Sequence, residues 1–144
     1  MRCYADSAFI TPLLLQESST VTCERLTKNL DTALPLIPLA QLEVRNAMNA
    51  AIARGRITAA DRDALWRQFE AQIRSGAFVE VALPTAELHR KAMELSDRYT
   101  PRLATRSLDL LHVAAALLLE AEVFFSFDAR QREAAAGEGL QVKP

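Results

Sequence analysis

Four of the eighteen acidic residues stand where an acid is costly. Asp6 follows the apolar run CYA and precedes SAF, and Asp128 follows VFFSF. Asp109 lies between two leucines in the first turn of the most apolar helical pattern, and Glu43 lies between Leu42 and Val44. Each has an ordinary structural use. Asp109 can complement a helix dipole, Asp128 can cap a helix, and Asp6 can cap a turn. Glu43 can reach water past its own stem. Together they suggest chemistry. Two strand ends and one helix start would bring three carboxylates to one rim of a parallel sheet. Carboxylates that close repel, and one takes up a proton unless a cation compensates. Hard cations such as Mg²⁺ or Mn²⁺ prefer oxygen ligands, and a site without His or Cys argues against zinc. The natural work of such a site is phosphoryl or phosphodiester chemistry. The same crowding predicts that Asp6→Asn or Asp109→Asn raises the melting temperature without metal.

The elements that must position these acids follow from pattern. CYA (3–5) reads as a strand start, with a helix from about Phe9 and an amphipathic piece over 18–30. LPLI (34–37) reads as a short strand with Pro35 at an edge or entry. From Leu39 to Arg54 the stripe Ala40, Val44, Ala47, Met48, Ala51 is helical, and Gly55 ends it. Thr58 is the predicted N-cap of the next helix, with Asp61 in its first turn, an apolar side of Leu65, Trp66, Phe69 and Ile73, and Gly76 as its close. FVEVAL (78–83) alternates as a strand, and Pro84 opens a helix running to about Tyr99, with Pro101 breaking the chain. Ser107 is the expected N-cap of LDLLHVAAALLLEA, EVFFSF (122–127) reads as a buried strand, Asp128 starts an alanine-rich helix, and LQV (140–142) is a last strand. This order predicts an α/β sandwich with a mostly parallel central sheet and a helical lobe from 39–76. In such folds ligands collect beyond the carboxyl ends of the strands.

Composition bounds the rest. At 144 residues and 15.9 kDa the chain has the size of one domain, and 50% hydrophobic with 24% charged residues can fill a core. Seventeen basic against eighteen acidic residues leave a net charge of −1, which excludes coating nucleic acid by bulk charge. A nucleic-acid enzyme with arginines gathered on one face stays open, and only three of the seventeen basic residues are lysines. Two cysteines, Cys3 and Cys23, make neither a disulfide framework nor a zinc pair and read as buried reduced thiols. The longest apolar run, VAAALLL, falls far short of the roughly 20 residues of a membrane helix, so the chain is expected to be soluble and cytoplasmic.

With these segments in hand, the chain resembles the PIN-domain ribonucleases, and among them the VapC-like toxins of bacterial toxin–antitoxin pairs. YADSAFITPLLL is similar to the family's opening strand, acid and first helix, and LAQLEVRNAM to its glutamate segment. RSLDLLHVAAAL and FFSFDARQREAAAGEGLQV are similar to its third and closing acidic segments. One departure is LIPLAQ before Glu43, where the family often has a Ser- or Thr-containing stretch. The resemblance implies one PIN-like domain over 1–144, a three-layer sandwich with helices on both sides of the sheet. It implies a metal-dependent endoribonuclease acting on tRNA, rRNA or mRNA. Asp6, Asp109 and Asp128 would hold Mg²⁺ or Mn²⁺, with Glu43 positioning the ion or the attacking water. Ser126 and Ser7 match supporting polar positions. Hydrolysis would leave a 3′-hydroxyl and a 5′-phosphate. Implied partners are a second copy of the chain and a cognate antitoxin whose tail occupies the groove.

Arg45, Arg106 and Arg130 sit two or three residues from the acids and are candidate phosphate contacts, or else solvated helix-face arginines. His112 shares a helix face with Asp109 and reads as a packed, hydrogen-bonded histidine rather than a general base, while His89 has no functional role. Trp66 and Phe69 read as core or dimer packing rather than a base-stacking platform. A receiver domain would want an acid beside Asp6, where Ala5 stands, and a lysine after FFSF; a dehalogenase-type phosphatase would want an aspartate in place of Ala8. Two further readings remain: a PIN-fold protein that binds RNA or a partner without cutting, and a housekeeping RNA-processing nuclease.

Overall fold

Strands buried on both faces must be apolar throughout rather than alternating, and CYA and VFF meet that demand. The computed structural model describes residues 1–144. In chain order it has β1 (Cys3–Ala5), α1 (Ser7–Ile10), a 3₁₀ turn (Thr11–Leu13), α2 (Thr20–Thr27) and β2 (Leu34–Leu36). Next come α3 (Pro38–Ala53), α4 (Ala59–Arg74), β3 (Phe78–Glu80) and α5 (Thr85–Leu103). The chain closes with α6 (Ser107–Leu118), β4 (Val123–Phe125), α7 (Ala129–Gly137) and β5 (Gln141–Lys143). Every strand pairing is parallel, so the class is α/β as the pattern predicts. No helix is long and apolar enough to cross a membrane.

The chain forms two compact units, Met1–Asp6 with Ala82–Pro144, and Ser7–Val81. In the first, a three-stranded sheet has the order β1-β4-β5, with Tyr4 opposite Phe124 and Phe124 opposite Val142. Helix α6 packs on β1, α7 packs on β5, and α5 packs on both helices. Its core holds Tyr4, Leu95, Val113, Phe124 and Phe125. Tyr4 stacks on Phe124 at 5.9 Å between ring centroids, 3° from parallel. Cys3 is buried and forms no disulfide, as is true of Cys23 in the second unit.

The second unit pairs β2 with β3 and packs α3 on α4 and on α1, the expected helical lobe. Of the predicted stripe on α3, Ala40, Val44, Met48 and Ala51 are buried, and Ala47 is half-buried. On α4, Thr58 caps the helix in a full capping box with Asp61. Phe69 is buried edge-on to Phe78, 5.3 Å between centroids, which makes it core as expected.

Some elements differ from the pattern's forecast. Pro101 does not break the chain; α5 runs through it and ends at Ala104, a left-handed residue at φ +53°. A proline in the last turn removes one N–H···O bond, and the packing of α5 through Ala92, Leu95 and Tyr99 outweighs that loss. Ser107 is the first residue of α6 rather than its cap, and Arg106 occupies the N-cap position, where its side chain does not cap the helix amides. Strand β3 stops at Glu80 because its partner β2 is three residues long; one further bond runs from the Val81 N–H to the Leu36 carbonyl.

Candidate active site

Strand β1 ends at Ala5, and the next amide, that of Asp6, still donates to the Phe125 carbonyl at 3.1 Å. The ladder thus carries Asp6 to the carboxyl edge of the sheet, where its residue is 1% exposed. Strand β4 ends at the same edge. Ser126, fully buried, donates its N–H to the Lys143 carbonyl, and its Oγ accepts from the Asp128 N–H at 3.1 Å. Asp128 then caps α7, its Oδ1 accepting from the Gln131 N–H at 2.9 Å. Arg132 Nη1 closes the turn on the Ser126 carbonyl at 2.9 Å. Helix α6 feeds β4 through a short turn and so runs against it, which brings its first turn, with Asp109, back to that edge.

Asp109 is 9% exposed and both of its oxygens have donors. Gln131 Nε2 donates to Oδ1 at 3.1 Å, and Arg106 Nε donates to Oδ2 at 3.0 Å. Asp109 and Asp128 are therefore joined through one residue, Gln131. Pattern reading missed Gln131. Its available signal was its place three residues after an N-cap aspartate, where a Gln side chain usually turns back to the cap's own N–H. Here Ser126 already satisfies that N–H, and the amide reaches Asp109 instead.

The first unit thus carries Asp6, Asp109, Asp128 and Ser126, while Glu43, Ser7 and Arg45 belong to the second. Glu43 is half-buried on α3 and Ser7 half-buried at the start of α1. Arg45 lies over Trp66, 5.0 Å from the ring centroid, so a cation covers the face a base would need. Arg106 is engaged by Asp109, and Arg130 Nη1 donates to the Ala104 carbonyl at 3.1 Å. His112 is buried one turn after Asp109, its Nδ1 2.8 Å from the Tyr4 hydroxyl, the bonded structural histidine that was expected.

No three of the His, Cys, Asp and Glu side chains gather closely enough to cage a metal ion on their own. The rim is looser than spacing implied, because an amide and a guanidinium stand against Asp109. The residues still fit a hydrated Mg²⁺ or Mn²⁺, which needs only one or two carboxylates and keeps several waters. The donors are all oxygen, and beside them Gln131 Oε1 is buried with no partner in the chain, an acceptor suited to the water of such an ion.

The PIN domain model matches residues 4–137, and the chain belongs to the PIN domain family. PIN domains are nuclease domains, a class of hydrolase. Among solved structures the fold is similar to Mycobacterium tuberculosis VapC20, a sarcin–ricin-loop-cleaving toxin, at 20% identity and a TM-score of 0.70, with 99% of each chain covered. It is similar to FitAcB from Neisseria gonorrhoeae at 14% identity and a TM-score of 0.68, covering 99% of this chain and 96% of that one. It is also similar to VapBC2 from Rickettsia felis, bound to a DNA fragment from their promoter, at 11% identity and a TM-score of 0.64, covering 99% and 98%. No curated protein matches.

Proposed function

We infer that this chain is a metal-dependent endoribonuclease that hydrolyses RNA phosphodiester bonds and acts as the toxin of a toxin–antitoxin pair. The observation that carries the reading is the linked pair of carboxylates, Asp109–Gln131–Asp128, at the sheet edge where Asp6 also ends, in a chain of the PIN family. The two compact units are taken as one PIN-like domain over 1–144, supported by a family match that runs through both.

In this reading Asp6, Asp109 and Asp128 hold Mg²⁺ or Mn²⁺, directly or through waters. Such an ion, when bound, supplies an activated water and offsets the charge that builds on the phosphate. The chain's own residues prepare that site. Ser126 Oγ anchors the Asp128 backbone N–H and the Gln131 N–H fixes the carboxylate through Oδ1, which leaves Oδ2 for a ligand. Gln131 and Arg106 hold the Asp109 carboxylate in place by donating to its two oxygens. Arg106, with a side chain 73% exposed, can turn from Asp109 to a phosphate once a cation takes the carboxylate. Arg130 and Arg45 are further phosphate contacts in this reading, and Ser7 supports the polar rim. By resemblance Glu43 is assigned to positioning the ion or the attacking water.

The partners in this reading are an RNA substrate, a cognate antitoxin and a second copy of the chain, in the cytoplasm. VapC20 and VapBC2, whose fold this chain shares, support the toxin assignment. The test is cleavage of total cellular RNA by the purified chain with Mg²⁺ or Mn²⁺, beside EDTA and Asp6→Asn controls. Cutting that vanishes in both controls is the expected result. Cutting that survives EDTA refutes the metal assignment, and cutting that survives Asp6→Asn refutes the site. A chain that binds RNA or a neighbouring gene product without cutting would be a binding protein on the PIN fold.

A further inference from the structure

Gln131 is a polar side chain at a position of α7 that packs inward, between the buried Ala134 and Ala135 one turn on and the sheet edge. It is 5% exposed, a placement that a primary amide tolerates only when its atoms are used. Three of its bonding groups are placed relative to the acids. Its N–H donates to Asp128 Oδ1 at 2.9 Å, and its Nε2 donates to Asp109 Oδ1 at 3.1 Å. Its Oε1 is buried with no partner in the chain. A core position filled only for packing would take Leu or Met, and a capping-box glutamine would turn back to the cap. Neither describes this side chain.

We propose that Gln131 is a positioning residue for the metal site. It ties Asp109 and Asp128 into one unit and offers its buried carbonyl oxygen to the hydration shell of the bound cation. This rests on the nuclease reading above. The physical reason is that a small divalent ion demands near-ideal oxygen geometry and sheds its waters reluctantly. A carboxylate whose second oxygen is anchored presents the first at a fixed angle, and an acceptor beside it holds a metal-bound water. Partners of this kind, touching the ligands rather than the ion, set metal affinity by roughly 10–100-fold.

The test is titration of Mn²⁺ into the metal-free chain by calorimetry, with wild type, Gln131→Met and Gln131→Glu. Gln131→Met keeps the volume and removes both polar groups; it should fold and bind Mn²⁺ at least about tenfold more weakly. A purely structural role would move its melting temperature and leave the affinity alone. A folded Gln131→Met with wild-type Mn²⁺ affinity overturns the proposal while the nuclease reading stands. Wild type that takes up no Mn²⁺ overturns both. Gln131→Glu carries the test should the methionine variant fail to fold. It sets a third carboxylate beside Asp109, so the metal-free melting temperature should fall and Mn²⁺ should raise it by more than in wild type. Equal Mn²⁺-induced shifts in the two proteins overturn the proposal.

Discussion

Replacing Asp109 by Asn separates two accounts of how the acids are tolerated. If carboxylates on the rim were held apart only by a cation, removing one charge would stabilise the metal-free protein. The structure argues the opposite. The Asp109 oxygens accept from Gln131 Nε2 and Arg106 Nε, and the residue sits in the first turn of α6. Asn keeps the shape and can still accept from Gln131, but a charge-assisted bond becomes a neutral one, a loss of about 1 kcal/mol. Its amide then faces the Arg106 guanidinium, donor against donor. Arg106 is exposed, so that pair contributes only about 0–1 kcal/mol, and loss of the helix-dipole interaction adds about 0.3–1 kcal/mol. The sum is a destabilisation of about 1–3 kcal/mol. For a chain of this size that lowers the melting temperature by about 3–10 °C. Calorimetric melting in EDTA at moderate salt, with urea unfolding as a second probe, reads it directly. A melting temperature that rises would refute the compensation by Gln131 and Arg106 and restore carboxylate repulsion as the dominant effect. With Mn²⁺ added, wild type should gain about 2.7 kcal/mol at a hundredfold excess over Kd, and the variant much less.

Four further outcomes follow from the packing and the helix cap. Tyr4→Phe keeps the ring stacked on Phe124 but leaves the buried His112 Nδ1 without its 2.8 Å hydroxyl partner, so urea unfolding should show a loss of about 1–3 kcal/mol with an unchanged m-value. Gly137→Ala should destabilise although alanine is the better helix former. Its Cβ would lie 2.9 Å from two carbons of the buried Tyr99 ring, whose hydroxyl donates to Glu138 at 3.1 Å; thermal melting should register about 1–3 kcal/mol. Thr58→Ala should cost about 1 kcal/mol by the same measurement, since it removes the Thr58 arm of the α4 capping box. The Thr58 backbone N–H holds the Asp61 carboxyl below its ordinary value, so the stability Asp61 adds is present above the unfolded carboxylate range. It is lost as the pH falls through the lowered folded value, and the Asp61→Asn penalty should vanish with it.

The fold was legible wherever local pattern and tertiary demand coincide. CYA and VFF are apolar on both faces, as a parallel sheet requires, and a strand that ends in an acid places that acid at the sheet edge; hence Asp6 and Asp128 could be located from their neighbours alone. The Thr58 cap is likewise a matter of four consecutive residues. Less legible were features that depend on a distant partner. Pro101 reads as a breaker until the packing of α5 on α6 and α7 is known. The place of Arg45 over the Trp66 ring, twenty-one residues on, likewise depends on how α3 packs on α4. Gln131 was invisible because its use is set by Asp109, twenty-two residues earlier, and by Ser126 relieving it of capping.

The central claim is hydrolysis by a metal-held water, and the ends of the cut RNA test it most directly. The purified chain should be incubated with RNA and Mn²⁺, and the new termini assigned by their acceptance of ligase and kinase. The account predicts 5′-phosphate and 3′-hydroxyl ends that disappear with Asp109→Asn. Ends carrying a 2′,3′-cyclic phosphate would mean that the RNA's own 2′-hydroxyl attacks, and would contradict the carboxylate–metal account.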